Sequence, residues 1–145
     1  MVIVILVVVS MSSSREVSTT DTRTIYLYPN ITEQMMETLW ESDNEFLYCL
    51  TGAANDNRII VRGFYEPIII SRSDTHVEAQ VCKDSIGLIH SHPGNGMGCA
   101  QSAQDIYTFG ASNALITCIV CDKDEIACYT PNSLTNTLNI EVGYG

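Results

Sequence analysis

The stretch that decides the fold is Gly87–Pro93, which reads GLIHSHP and places an apolar run directly before two histidines and a proline. The apolar run predicts a strand. Pro93 has no backbone N–H, so it ends the strand ladder at this point. Side chains two residues apart in a strand point to the same face, so His90 and His92 can converge on one metal ion.

A second polar motif, Ser102-Ala103-Gln104-Asp105, begins a predicted helix that runs to about Ser112. Asp105 is the third candidate ligand. Two histidines and one carboxylate leave a zinc ion with one open position for water, which is the pattern of a hydrolytic site. Ser-x-x-Asp is also an ordinary helix capping box, and the two roles are compatible.

A zinc-held water needs a proton acceptor, and a carboxylate that does not bind the metal is the usual one. Glu45 is the candidate because it begins the apolar, strand-like run 45–52. The alternative for Glu45 is a solvated strand end. The corresponding alternative for His90 and His92 is that they merely end a strand.

Together these residues resemble the JAMM/MPN (JAB1/Mov34/MPN/PAD-1) metalloprotease domain. The pattern of that family is an upstream Glu, then His-Ser/Thr-His-Pro, then Ser-x-x-Asp. The resemblance spans residues 25–129 and includes the spacing from Glu45 to Gly52. Two features differ from the usual family pattern: the segment between His92 and Asp105 is longer, and Tyr48 stands where the family usually has Gly.

The resemblance implies a role for each matching residue. His90, His92 and Asp105 would bind Zn²⁺. Glu45 would activate the metal-held water, and Ser102 would hydrogen-bond the developing oxyanion. The implied activity is hydrolysis of an amide bond at the C-terminus of a ubiquitin-like modifier or a peptide. The alternatives are a JAB-type cell-wall or phage-tail peptidase and a catalytically inactive MPN scaffold.

The composition supports a globular domain. The chain has 145 residues, of which 46% are hydrophobic and 17% are charged, so we expect a single core. Its net charge of −10 repels a phosphate backbone, and no clustered basic stripe offsets that repulsion, so nucleic acid is not expected as a partner. The oligomeric state is not predicted.

The order of elements predicts an α+β fold with a mixed, mainly antiparallel sheet flanked by two helices. The resemblance makes this an MPN/cytidine-deaminase-like sandwich. Ile31, Met35 and Leu39 recur at helical spacing and predict a helix over residues 31–42. Strands are expected over 25–28, 45–51, 58–70 with a kink at Gly63 and Pro67, 86–91, 115–121 and 125–129.

The N-terminal region is interpreted separately from the domain. Residues 1–22 are expected to be an apolar stretch and a flexible lead-in, and residues 23–145 the metalloprotease domain. The apolar run Val2–Val9 is too short to span a bilayer as a helix. A signal or anchor, a hydrophobic tail, an extra strand and a start at Met11 all stay open for it.

Six cysteines are an even number, but four of them lie in apolar strand-like runs, where a free thiol behaves as a small hydrophobe. Free thiols favour a reducing compartment, so we expect a cytoplasmic protein. Cys118 and Cys121 are expected on opposite faces of a strand. Cys99 lies between the two motifs and is interpreted either as a thiolate that fills the open zinc position or as a packed or solvent-facing thiol.

Overall fold

The computed structural model describes residues 21–40, 46–73, 77–91, 98–122 and 125–144, with the side chains of Leu39 and Trp40 excepted. Within these ranges no helix has both the length and the apolar content needed to cross a bilayer. The predictions for residues 1–20 fall outside the described residues, and the domain boundary stays a prediction. In chain order the elements are β1 (Thr24–Leu27), α1 (Pro29–Trp40), β2 (Leu47–Ala54), β3 (Arg58–Tyr65), β4 (Ile69–Arg72), β5 (Val77–Ala79), β6 (Gly87–Ser91), α2 (Ala103–Ser112), β7 (Ile116–Asp122), β8 (Glu125–Tyr129) and β9 (Asn139–Val142).

Seven strands form one sheet in the order β8-β7-β6-β2-β3-β1-β9, and β4 and β5 form a separate antiparallel hairpin. The sheet is mixed, as expected. It has three antiparallel pairs (β8/β7, β6/β2, β2/β3) and three parallel pairs (β7/β6, β3/β1, β1/β9), so it is evenly divided rather than mainly antiparallel. Parallel neighbours need a crossover, and α2 provides one between β6 and β7. A complete sandwich around the sheet stays a prediction.

The two faces of the sheet carry different residues. Ile89 and Tyr48 pack in the same cluster as Met35 of α1, which is 1% exposed. Because strand side chains alternate, His90 lies on the opposite face, level with Ile119 of the neighbouring strand. The candidate ligand His90 therefore faces away from the core that α1 covers.

Most predicted elements are confirmed to within a few residues. The expected strand over 58–70 is two strands, β3 and β4, because the chain leaves the sheet at 66–68, around Pro67. Strands β5 and β9 were not predicted. Both are short, and their alternating signal is weak, so only pairing with a neighbour identifies them.

The cysteines differ most from expectation, because all six form disulfides and none is a free thiol. Cys118 and Cys128 stand directly opposite each other in the β7/β8 pair. Cys121, three residues after Cys118, bonds a different partner, in keeping with opposite strand faces. The bonds are Cys49–Cys82, Cys99–Cys121 and Cys118–Cys128.

Candidate functional site

His90 is held near the end of β6, a strand paired on both sides. Its register partners are Leu47 of β2 and Ile119 of β7. The residue is 7% exposed, although a histidine ordinarily remains in partial contact with water. Backbone pairing on both edges therefore fixes where the imidazole stands, and neighbouring side chains shield it from solvent.

The first turn of α2 is organised by the predicted capping box. Ser102 is the N-cap, and its Oγ accepts a hydrogen bond from Asp105 N at 3.0 Å. In return, Asp105 Oδ2 accepts from Ser102 N at 2.9 Å. These two bonds satisfy backbone donors that no helix carbonyl can reach, so they fix both side chains relative to the helix axis.

The structure brings His90 and Asp105 together. His90 Nε2 lies 3.3 Å from Asp105 Oδ1. The two carboxylate oxygens thus have different partners, since Oδ2 completes the capping box and Oδ1 faces the imidazole. Capping and metal binding are compatible at Asp105.

The donor set at this contact fits zinc. Imidazole nitrogen and carboxylate oxygen are both ordinary zinc ligands. Two atoms bound to one tetrahedral zinc at about 2.0–2.1 Å stand roughly 3.3 Å apart. The separation of His90 Nε2 and Asp105 Oδ1 is 3.3 Å, so these atoms are spaced as two ligands of one ion would be.

Ser91, the last residue of β6, is hydrogen-bonded to Phe46, the residue before β2. Its Oγ accepts from Phe46 N at 3.0 Å, and its N donates to Phe46 O at 3.1 Å. Ser91 is 2% exposed. The sequence motif predicts no separate role for Ser91, although a small hydroxyl residue between two histidines is a signal for one. Glu45 and His92 lie outside the described residues, so their assignments stay predictions.

Tyr48 departs from the family pattern without obstructing the site. It lies on the face opposite His90 and packs edge-on against Phe64, with ring centroids 5.0 Å apart. Burial raises the pKa of the Tyr48 phenol, which therefore stays neutral. The tyrosine contributes to the core that α1 covers.

Cys99 is not a metal ligand in this structure, and the hypothesis that its thiolate fills the open zinc position is wrong. Its sulfur is bonded to Cys121, so no thiolate remains. Among the described residues, Cys99, Cys121 and Glu125 bring potential ligand atoms within 4.8 Å of one another. The disulfide occupies two of those three atoms.

A groove of about 680 Å³ runs beside the His90 strand, between it and α2. Leu47 and Leu88 of the sheet line one side, and Tyr107 of α2 lines another. Tyr107 is 73% exposed and Val81, also at the groove, is 73% exposed. The face that carries His90 thus has an open apolar channel next to it.

No protein-family model matches the sequence, and no curated protein matches it. Solved structures do match. The chain is similar to the JAB1/MPN domain protein AF2198 from Archaeoglobus fulgidus, with 19% identity and a TM-score of 0.52 over 83% of this chain and 98% of that one. It is also similar to a structure described as JAMM, a metalloprotease-like zinc site in the proteasome and signalosome, with 18% identity and a TM-score of 0.53 over 83% and 99%.

A third similar structure is the solution structure of protein DSY2949 from Desulfitobacterium hafniense, with 17% identity and a TM-score of 0.57 over 82% of this chain and 94% of that one. Nearly the whole of each of the three chains is covered, so the similarity concerns a complete domain. At these identities it shows the fold. The chain has the JAB1/MPN fold, as the resemblance implied.

Proposed function

We propose that this chain is a zinc-dependent peptidase or isopeptidase of the JAMM type. The observation that carries the proposal is the 3.3 Å approach of His90 Nε2 to Asp105 Oδ1. The two residues come from a strand and a helix that are separate in sequence, and both present zinc donors. A shared metal ion would account for a shielded imidazole and a carboxylate that meet near the end of β6.

His92 is the proposed third ligand. It follows Ser91 directly, and consecutive Cα atoms are about 3.8 Å apart, so it begins within one residue of a fixed position. Ser91 is held to Phe46 by two hydrogen bonds. The motif resemblance assigns His92 to the same ion as His90 and Asp105.

Glu45 is the proposed base, for a related reason. It directly precedes Phe46, the residue that Ser91 holds. In an antiparallel pair, the residue before one partner and the residue after the other leave the pair at the same end. This connectivity supports the proposal that Glu45 and His92 lie at the same end of the β2/β6 pair.

The proposed reaction is amide hydrolysis without a covalent enzyme intermediate. A bound zinc would supply Lewis acidity and lower the pKa of water at the site to about 7. Glu45 takes a proton from the attacking water and delivers it to the leaving amine, as the C–O bond forms and the C–N bond breaks. Ser102 Oγ accepts the Asp105 N–H, so its own O–H is available to donate to the oxyanion.

The groove beside the site supports a substrate that binds in extended form. Its apolar lining from Leu47, Leu88 and Tyr107 fits a peptide segment with apolar side chains. The C-terminal tail of a ubiquitin-like modifier is one such segment, and we propose it as the first substrate class.

The disulfides are the observation that favours a second candidate. Disulfides persist in oxidising compartments and are rare in the cytosol. The three bonds therefore argue against the cytoplasmic location that we expected from the sequence. A peptidase that acts outside the cytoplasm on a cell-wall peptide agrees with this chemistry better than one that acts on an intracellular modifier.

Metal analysis of purified variants tests the proposal. Wild type should bind one zinc per chain, His92→Ala should lose it, and Glu45→Gln should retain it but lose turnover. His76→Ala, which removes the third histidine of the chain, is the matched control and should behave as wild type. A wild-type protein that stays metal-free in added zinc would favour the inactive scaffold.

Cleavage assays then separate the two substrate classes. A linear fusion to the C-terminus of a ubiquitin-like modifier and a cell-wall muropeptide would be offered to the same zinc-loaded protein. Release of the fusion partner supports the isopeptidase, and cleavage of the muropeptide alone supports the cell-wall peptidase. Zinc binding without cleavage of either would exclude both of these substrate classes.

A further inference from the structure

The segment that leads into α2 is tied to β7, to β8 and to the chain between β8 and β9. Cys99 is bonded to Cys121 near the end of β7, with Cα atoms 4.9 Å apart. The hydroxyl of Tyr129 in β8 donates to the carbonyl of Cys99, and Gln101 Nε2 donates to Leu134 O at 2.9 Å. Of the three ties, only the disulfide is covalent.

Among the described residues, few side chains of helix α2 are buried. Phe109 is its one buried residue, so the core contributes little to the placement of its first turn. Asp105 lies in that turn and meets His90 across the face of the sheet. The position of Asp105 Oδ1 therefore depends strongly on the anchor at Cys99.

We propose that the Cys99–Cys121 disulfide is a redox-sensitive positioning bond, which holds the start of α2 where Asp105 meets His90 and whose reduction weakens metal binding there. This inference rests on the proposed metal site. The disulfide would regulate that site and would not add a ligand to it. Loss of a hydrogen-bonding partner that orients a metal ligand typically weakens metal binding 10–100-fold, and we expect an effect in this range when the disulfide is lost.

Access to the sulfur atoms supports the redox sensitivity. Cys99 and Cys121 are both half-buried, whereas Cys118 and Cys128 are 1% and 0% exposed. Thiol–disulfide exchange requires the attacking thiolate to reach a sulfur atom. A small dithiol should therefore reduce Cys99–Cys121, the disulfide that anchors α2, before it reduces the buried Cys118–Cys128 disulfide.

A dithiol reduces the disulfide in two exchange steps. One thiolate of the dithiol attacks one sulfur of the Cys99–Cys121 bond, forms a mixed disulfide with it and releases the other protein sulfur as a thiolate. The second thiolate of the dithiol then attacks the dithiol sulfur of the mixed disulfide and releases the remaining protein thiolate. The protein disulfide is thus reduced to two thiols by two electrons and two protons, and the dithiol that supplies them is oxidised to an intramolecular disulfide. Burial raises the pKa of the Tyr129 phenol, so the hydroxyl stays protonated and can donate to the Cys99 carbonyl at the pH of the exchange.

The test uses the full chain with Cys99→Ser and Cys121→Ser combined. Serine avoids an artefact of reduction, because two free thiols beside Glu125 would themselves bind zinc. The matched control combines Cys49→Ser and Cys82→Ser, which removes a disulfide with one buried and one half-buried sulfur. Amide hydrogen exchange over residues 98–106 is measured without metal, and zinc affinity is measured by competition with a chromophoric chelator.

We expect exchange over 98–106 to be at least tenfold faster in the Cys99/Cys121 variant, and its zinc Kd to rise about 10- to 100-fold. The control should change neither quantity by more than about threefold, which is well below that range. Unchanged exchange and unchanged Kd in the test variant would overturn the proposal, as would equal losses in the control. If the variant does not fold, wild type before and after limited reduction by a dithiol gives the same comparison of exchange.

The outcomes separate this inference from the proposed function. A wild-type protein that binds no zinc would end the proposed function, while hydrogen exchange would still decide whether the disulfide anchors α2. Normal zinc binding together with an unaffected Cys99/Cys121 variant would end the inference alone. Mass analysis of alkylated thiols supplies the redox arm, and reduction of Cys118–Cys128 before the anchor would contradict the proposed sensitivity.

Discussion

Asp105→Asn separates the two roles that the structure gives to Asp105. The Oδ2 atom closes the capping box with Ser102, and the Oδ1 atom faces His90. The asparagine side chain has the same shape as that of aspartate and retains one acceptor oxygen, but it carries no charge. It can keep the hydrogen bond from Ser102 N while it removes an anionic zinc ligand. Ser102→Ala is the complementary change, because it removes the cap but leaves the carboxylate.

The expected magnitudes differ between the two variants. Asp105→Asn loses only the favourable effect of a carboxylate at a helix N-terminus, about 0.3–1 kcal/mol of unfolding free energy. Ser102→Ala loses the bond from Asp105 N, which costs about 1 kcal/mol. Both should lower Tm by roughly 2–5 °C. Zinc affinity should fall at least about 100-fold in Asp105→Asn, because loss of a mere supporting partner already costs 10–100-fold.

Urea unfolding of the metal-free proteins and zinc competition titrations measure the two effects separately. Ser102→Ala keeps every ligand and the bond from the backbone N of residue 102 to Asp105 Oδ2, so zinc affinity should fall by no more than about tenfold, the low end of the range for a lost supporting partner. Its kcat should nevertheless fall about 10²- to 10³-fold through loss of an oxyanion donor. If Asp105→Asn bound zinc as tightly as wild type, Asp105 would be only a helix cap, and the reasoning from the 3.3 Å contact would be refuted.

Three further predictions concern stability. The hydrogen bond from Arg23 is the main reason that the pKa of Asp21 is lowered from 3.8 to about 2, and the Asp21 side chain is 5% exposed. A lowered folded-state pKa stabilises above the unfolded value, so Asp21→Asn should cost on the order of 2 kcal/mol at pH 7 and progressively less as pH falls from about 4 toward 2; a pH-independent difference in urea unfolding would contradict this. Gly87→Ala should destabilise by about 1–3 kcal/mol, because the added Cβ would lie 2.3 Å from Ile116 O; an unchanged Tm would show that the strands yield. Gly110→Ala in α2 meets no atom within 4 Å and should stabilise by about 0.5–1 kcal/mol, with a lower Tm as the opposing result.

The part of the site that lies within the described residues could be predicted because its signals are local. The Ser102–Asp105 box is a pattern within one helical turn, and the structure has both of its hydrogen bonds. The spacing of His90 and the proline that follows it placed the histidine at the end of a strand, where β6 ends at Ser91. Such features depend on residues a few positions apart, so a single sequence contains them.

The cysteine prediction failed for the opposite reason. Cys118 and Cys128 do lie in apolar strands and are buried, as their surroundings indicated. Whether they bond depends on the register of β7 against β8, which sets them opposite each other. Six cysteines allow 15 pairings, and their spacing alone does not choose among them.

The amino-acid order by itself determined the helices, most strands, the capping box and the residue types able to hold zinc, because backbone periodicity and capping act over a few residues. Tertiary structure alone decided that the sheet is evenly mixed, that the cysteines are bonded, and that His90 and Asp105 meet at 3.3 Å. Those outcomes depend on which strands become neighbours and in what register. Such choices are settled by packing of the whole chain and by no short segment of it.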